Sequence, residues 1–243
     1  MKNVKISYEY DGSDFFGFQR QPGMRTVQGE IEKALKVVLK EEINLVSAGR
    51  TDRGVHSKHQ VSNFFTNSSI PVHRLERVLN GLLPIDINIF LVEEKDEAFS
   101  ARFSARHRAY EYDITSEKTT FKRRYATYYP EKIDCKKFLE ILNPLLGEHD
   151  FANFRLSDCC SRTTNREIHE IKCYNTSETD VRVYIRGNAF LKSQIRIIVG
   201  TALSIYSKKT DENQLKDMLN NPEVYYPKIV AEPQGLYLCE IGY

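Results

Sequence analysis

The order of elements in the N-terminal part constrains this chain most. Residues 4–10 alternate apolar and polar side chains and read as a strand, which Asp11-Gly12-Ser13-Asp14 turns back. Val27, Ile31, Leu35 and Val38 then recur on one helical face behind Thr26, an N-cap. Residues 43–47 read as a strand leading into a loop, and residues 60–65 as the strand leaving it. A second helix spans 72–83, Pro84 stops it, and 85–93 returns as a strand. Strand, helix, strand, strand, helix, strand is the order of a ferredoxin-like α/β unit.

The remainder has similar ingredients. Strands are expected over 108–115, 166–174, 180–186 and 236–241, and helices over 135–145, 193–207 and 212–220. Asn175-Thr176-Ser177-Glu178 forms the turn between two of the strands. The halves divide near 101–105, which gives domains 1–103 and 104–243.

Composition permits such a fold and narrows the setting. The chain has 243 residues, 41% of them hydrophobic and 28% charged, enough to bury a real core. No apolar run approaches the roughly 20 residues of a membrane span. Met1-Lys2-Asn3-Val4-Lys5-Ile6 lacks the apolar stretch of a signal peptide, so a cytoplasmic location is the default. The five cysteines, Cys135, Cys159, Cys160, Cys173 and Cys239, show no C-x-x-C spacing and read as reduced thiols. Net charge is only +2, but a nucleic-acid binder needs its charge gathered rather than abundant. It gathers at Arg102, at Arg106-His107-Arg108 and at Lys122-Arg123-Arg124, where a solvated face and a phosphate contact both fit.

Several chemistries find no support. The chain has no G-x-x-x-x-G-K-[ST], G-x-G-x-x-G or G-x-S-x-G. His56 and His59 lack further ligands at zinc spacing, so no metal is expected. What stands out is Arg50-Thr51-Asp52-Arg53-Gly54-Val55-His56, a carboxylate between two arginines in a loop joining two strands. Neighbouring positive charge keeps an aspartate ionised and able to act as nucleophile or base. Ion pairs are common in loops, and the residues alone favour a turn locked by arginine pairing.

A chain-long set of motifs changes that balance. In order they are Tyr10-Asp11-Gly12-Ser13, Phe16-Gly17-Phe18-Gln19-Arg20-Gln21, Thr26-Val27-Gln28, Ala48-Gly49-Arg50-Thr51-Asp52 and Leu82-Leu83-Pro84-Ile85-Asp86-Ile87. Phe99-Ser100-Ala101-Arg102-Phe103-Ser104-Ala105, Tyr110-Glu111-Tyr112, Gly147-Glu148-His149-Asp150-Phe151 and Ser161-Arg162-Thr163 follow. Asn188-Ala189-Phe190-Leu191, Gln194-Ile195-Arg196-Ile197-Ile198-Val199-Gly200 and Gly235-Leu236-Tyr237-Leu238 complete the series. Together they make the chain resemble the bacterial tRNA pseudouridine synthase A family.

The resemblance implies an α+β fold of two ferredoxin-like (RRM-like) halves, sharing a mainly antiparallel sheet with a positively charged cleft between them. It implies a homodimer that takes tRNA and isomerises uridine to pseudouridine at positions 38, 39 and 40 of the anticodon stem-loop. The N1–C1′ bond breaks and the base rejoins through C5, so no cofactor is called for. Asp52 matches the catalytic carboxylate, acting at C6, at C1′ or on the C2′ proton. Tyr110, Arg196 and Leu236 match the substrate-binding residues: a ring on the uracil, an arginine pairing with the aspartate, and an apolar wall. Arg50 would fill the gap left by the flipped base. Phe99, Ser100, Ala101, Arg102 and Phe103, with Ser161 and Arg162, would contact RNA.

The chain departs from the family at Arg53, where alanine is usual, and at Phe18, where tryptophan is usual. Other readings are a non-catalytic RNA binder, a synthase acting on other RNA positions, and a zinc-dependent deaminase. The first does not need Asp52, Tyr110 and Arg196 together, and the last lacks its ligand signature.

Overall fold

The computed structural model describes residues 1–159 and 161–243, so Cys160 lies outside the described residues. In chain order the elements are β1 (Lys2–Tyr10), α1 (Val27–Leu39), β2 (Val46–Ser47), β3 (His56–Thr66), α2 (Val72–Asn80), β4 (Ile87–Lys95) and β5 (His107–Thr115). Then come β6 (Thr127–Tyr128), α3 (Cys135–Leu142), β7 (Gly147–Asp150), β8 (Asn165–Asn175), β9 (Asp180–Gly187), α4 (Gln194–Tyr206), α5 (Gln214–Asn220) and β10 (Leu236–Gly242). They form two compact units, Met1–Arg106 with Leu238–Tyr243, and His107–Tyr237.

In the first unit, alternation along β1 turns Val4, Ile6, Tyr8 and Tyr10 to one face. Ile31 and Leu35 of α1 and Leu75 and Leu79 of α2 cover that face and close the core. Thr26 caps α1, its Oγ1 accepting from Gly29 N at 3.3 Å. The strands lie in the order β4-β1-β3 with β2 on β3, all antiparallel, which is the ferredoxin-like order 4-1-3-2. The expected strand 43–47 shrinks to its last two residues. Ile43 and Leu45 are buried, and the Glu32 carboxylate rather than a strand accepts from Leu45 N at 3.2 Å. Helix 72–83 stops early, at Asn80: Gly81 caps it, and Leu82 N returns to Leu79 O at 2.9 Å in a tighter i→i−3 turn. The final strand forms where expected, but its residues from 238 on belong to the first unit rather than to a domain 104–243, and Ser57 Oγ donates to Leu238 O at 3.1 Å.

The second unit orders its strands β5-β9-β8-β7, antiparallel, with β6 running parallel on β5. Tyr112, Val183, Ile185, Phe138, Leu142, Ile198 and Val199 are buried in its core. Helix 135–145 ends as an α-helix at Leu142 and finishes as a 3-10 turn over Asn143–Leu145, since Pro144 has no N–H to donate. β6 and β7, at two and four residues, are too short for alternation to reveal. The fold is thus α+β, with mainly antiparallel pairing in each unit. No helix among the described residues is long and apolar enough to cross a membrane.

Candidate active site

Asp52 sits half-buried in the loop between β2 and β3. The segment after β1 shapes that loop. Thr51 is buried: its Oγ1 meets Tyr10 Oη at 2.8 Å and its carbonyl accepts from Phe18 N at 3.1 Å. Val55 N donates to Asp52 O at 3.2 Å across a turn containing Gly54 at φ 78°. On the upstream side, Ala48 N donates to Val61 O at 2.9 Å and Gln60 Nε2 to Gly49 O at 3.1 Å.

Two glycines allow the close approach. A Cβ on Gly12 would lie 2.0 Å from Val55 O. Gly17, at φ +86°, would place one 3.1 Å from Thr51 O and 3.2 Å from Arg53 N. His56, buried next to the loop, accepts from Gly12 N at Nδ1 at 3.0 Å, with Asp11 Oδ1 3.1 Å away. His59 instead packs edge-on to Phe90 at 5.4 Å, and burial together with Lys5 lowers its pKa. Behind the loop, Arg25 grips Asp86 through two 2.8 Å hydrogen bonds and lies 4.0 Å from the Phe15 ring centroid.

The loop exposes its basic residues. Arg50 is exposed, and Arg53, the departure noted above, lays its guanidinium over Phe16 at 4.1 Å. Phe18, the other departure, is buried at 2% exposure, 6.3 Å from the Tyr10 ring.

Residues 99–104 form a pinned turn in the same unit. Asn3 Nδ2 donates to Phe99 O at 2.9 Å and Ala101 N to Asn63 Oδ1 at 2.8 Å. Ser104 N donates to Ser100 O at 2.9 Å, and Tyr243 Oη to Ala101 O at 3.0 Å. Phe99 packs on Tyr243 with centroids 5.0 Å apart. Arg102 and Phe103 are left pointing outward, the Phe103 ring 80% exposed.

The second unit carries the other expected residues. Tyr110, on β5 opposite Ile185, meets Phe190 edge-on at 5.3 Å and 88°. Tyr112, two residues on, is wholly buried, its hydroxyl tied to Thr127 Oγ1 at 2.6 Å and to Glu232 O at 2.7 Å. Arg196 lies in the first turn of α4, where its Nε donates to Ala231 O at 2.8 Å and Ala231 N returns a bond to Arg196 O at 2.9 Å. Leu236 opens β10 at 5% exposure. Gly235 precedes it because a Cβ there would meet Asp113 O at 2.7 Å and Thr127 Oγ1 at 2.8 Å. Arg162 is exposed, and Ser161 Oγ accepts from the Cys159 thiol at 3.5 Å.

Sequence reasoning assigned no role to Phe190 or Gln194. Gln194 Oε1 accepts from Leu191 N at 2.8 Å while Gln194 N donates to Leu191 O, closing the turn between β9 and α4. Their place in the motif series was the available signal. Two expected basic clusters are partly used internally. Arg108 donates to Asn188 O at 3.1 Å, and Lys122 pairs with Asp180 at 2.8 Å and Glu117 at 2.7 Å.

Comparison with known proteins gives the family of the chain. The family model described as tRNA pseudouridine synthase matches residues 6–104 and 141–243. A tRNA pseudouridine synthase A of Bacillus pumilus is 41% identical over 244 residues, 99% of this chain and 98% of the relative. Its counterpart in Caldicellulosiruptor bescii is 38% identical over the full length of both chains. A third, in Brachyspira hyodysenteriae, is 39% identical over 98% of this chain and 96% of the relative. The chain therefore belongs to the tRNA pseudouridine synthase family, isomerases that convert uridine to pseudouridine.

Proposed function

We propose that this protein forms pseudouridine at positions 38, 39 and 40 of the tRNA anticodon stem-loop, in the cytoplasm, as a homodimer. Asp52 is the catalytic carboxylate. Tyr110, Arg196 and Leu236 bind the uracil, and Arg50 occupies the space the flipped base vacates. Residues 99–103, with Ser161 and Arg162, contact the RNA. The observation that carries the reading is the Asp52 loop, a half-buried carboxylate on a turn that Tyr10, Phe18, Gly12 and Gly17 hold from the same unit. Holding a nucleophile to a fixed geometry is what such a reaction requires.

The chemistry conserves every atom. The N1–C1′ bond breaks, a C5–C1′ bond forms, and the proton on C5 leaves as N1 gains one. By the family resemblance, Arg196 is the arginine assigned to partner the catalytic carboxylate. Deuterium at C2′ separates the routes: a primary isotope effect identifies proton removal there, and its absence leaves attack at C6 or C1′.

The deciding experiment incubates the protein with unmodified tRNA transcripts and maps pseudouridine by site. Product at 38, 39 and 40 is expected, with none from Asp52→Asn. No product from the unaltered protein, or full activity in Asp52→Asn, refutes the assignment. Product at other positions refutes the site specificity alone, and a monomer in sedimentation refutes the dimer. Binding should weaken steeply with salt as phosphate contacts release counterions, and a flat response would count against the basic contacts.

A further inference from the structure

Between β5 and β6 the chain runs out through residues 116–126, which contain Lys118, Phe121, Lys122, Arg123, Arg124 and Tyr125. Phe121 is 90% exposed, whereas Phe138, Phe151 and Phe154 of the same unit are fully buried. Looseness does not explain the exposure. Ser116 N donates to Thr179 O at 2.8 Å, and Phe121 N to Thr119 Oγ1 at 3.3 Å. Tyr125 N and Ala126 N both return to Lys122 O, at 2.9 and 3.0 Å, and Tyr237 Oη donates to Tyr125 O at 2.6 Å. At the centre Lys122 turns inward to Asp180 and Glu117, an anchor that satisfies the local acids. What remains outward is an aromatic ring among the exposed cations Lys118 and Arg123. Beside it lies a cavity of about 210 Å³, lined among others by Lys118, Thr119, Arg123, Tyr128 and Gln234.

From this loop and its cavity we infer a second RNA-binding site, which stacks an unpaired base on Phe121 and holds the adjoining phosphates with Lys118 and Arg123. The inference rests on RNA being the substrate. Two observations favour RNA over a protein partner. The surface left after Lys122 is internally paired is cationic, complementary to a polyanion. An exposed ring among basic side chains is the pattern of single-strand binding, in which any base can stack. The nucleotide held here is not the one on Tyr110. Tyr110 lies five residues back along β5 from Thr115, roughly 17 Å at the rise of an extended strand. The site thus reads RNA beyond the target uridine.

The test measures binding of an unmodified tRNA transcript, with single-turnover pseudouridine formation in parallel. Phe121→Ala is expected to weaken binding about tenfold, the range of one lost base stack. Phe121→Leu should be as weak as Phe121→Ala, since an aliphatic chain cannot stack, and Phe121→Trp should restore affinity. Lys118→Ala with Arg123→Ala should reduce the salt slope by roughly 1.5, whereas Lys136→Ala, at an exposed lysine outside the loop, lowers affinity less. The single-turnover rate at saturating RNA should not change in any of these variants. Unchanged affinity in Phe121→Ala, or equal recovery by leucine and tryptophan, overturns the inference. So does loss of self-association in sedimentation with RNA affinity intact, which would make the loop a protein contact. If the unaltered protein makes no pseudouridine but Phe121→Ala still weakens RNA binding, the catalytic assignment fails and the loop site stands.

Discussion

Gly17→Ala tests whether the backbone behind Asp52 is part of the catalytic apparatus. Gly17 has φ +86°, where an alanine loses roughly 1–2 kcal/mol to its own Cβ. The new carbon would also sit 3.1 Å from Thr51 O, 3.2 Å from Arg53 N and 3.4 Å from Asp52 C. These neighbours are backbone, so relief comes from moving the loop by a few tenths of an ångström. Gly23 provides the comparison: its φ is +71°, but no atom lies within 4 Å of its Cβ position. Gly23→Ala should therefore carry the conformational penalty alone. Both variants should melt lower, by about 2–4 °C per kcal/mol for a chain of this size. Turnover should separate them. A misplacement of 1 Å can lower a rate about a hundredfold, so a shift of several tenths should lower that of Gly17→Ala about tenfold and leave Gly23→Ala unaltered. The assay is release of tritium from C5-labelled uridine in tRNA, at a temperature where both variants remain folded. Equal turnover in the two variants would refute the reasoning, because the contacts of Gly17 with the loop would then not set the position of Asp52.

Three further outcomes follow from the geometry. Tyr112→Phe removes a buried hydroxyl bonded to Thr127 and Glu232, and should destabilise by about 1–2 kcal/mol in urea unfolding; no loss would mean that water satisfies those groups. Arg25→Lys keeps the charge but breaks the two-pronged grip on Asp86 and the contact with Phe15, and should lower the melting temperature by several degrees where a charge-only role predicts none. Acid should weaken the fold in a defined direction. The hydrogen bond from Lys5 holds the Glu93 carboxyl below its usual range against burial, while at Asp180 burial pushes upward and is outweighed by hydrogen bonds from Lys122, Thr115 and Ser177. Both groups are depressed in the folded state, so their contribution is complete above the ordinary carboxylate range and is lost as pH falls through the lower folded values. Urea midpoints measured from pH 7 downward should fall below about pH 4, and Lys5→Gln with Lys122→Gln should flatten that limb.

The sequence revealed most where structure depends on near neighbours. Alternation marked β1, and the spacing of Val27, Ile31 and Leu35 behind Thr26 marked α1, because each pattern is completed within a few residues. Two-residue β2 and β6 carried no such signal, and Leu45, apolar enough for a strand, bonds to Glu32 instead. At the site, the Asp52 motif could be read from the chain, but its support could not. Gly12 and Gly17 meet the loop across more than 30 residues of chain, and nothing local announces a close approach. Lys122 shows the same limit. Grouped with Arg123 and Arg124 it looked like one more phosphate contact. Pairing of Thr115 with Asp180 between β5 and β9 brings an acid beside it, and that pairing is invisible in the sequence.

The return of residues 238–243 to the first unit has a consequence for synthesis. That unit begins at Met1, yet its last strand is translated only after the intervening His107–Tyr237. At roughly 5–20 residues per second, the ribosome takes on the order of ten seconds to cover that interval. Throughout it, the β3 edge beside Ser57 lacks the partner whose Leu238 carbonyl it binds in the finished protein. An open edge of that kind invites pairing with other chains. The nascent protein thus carries the Asp52 loop on a unit that residues 238–243 complete.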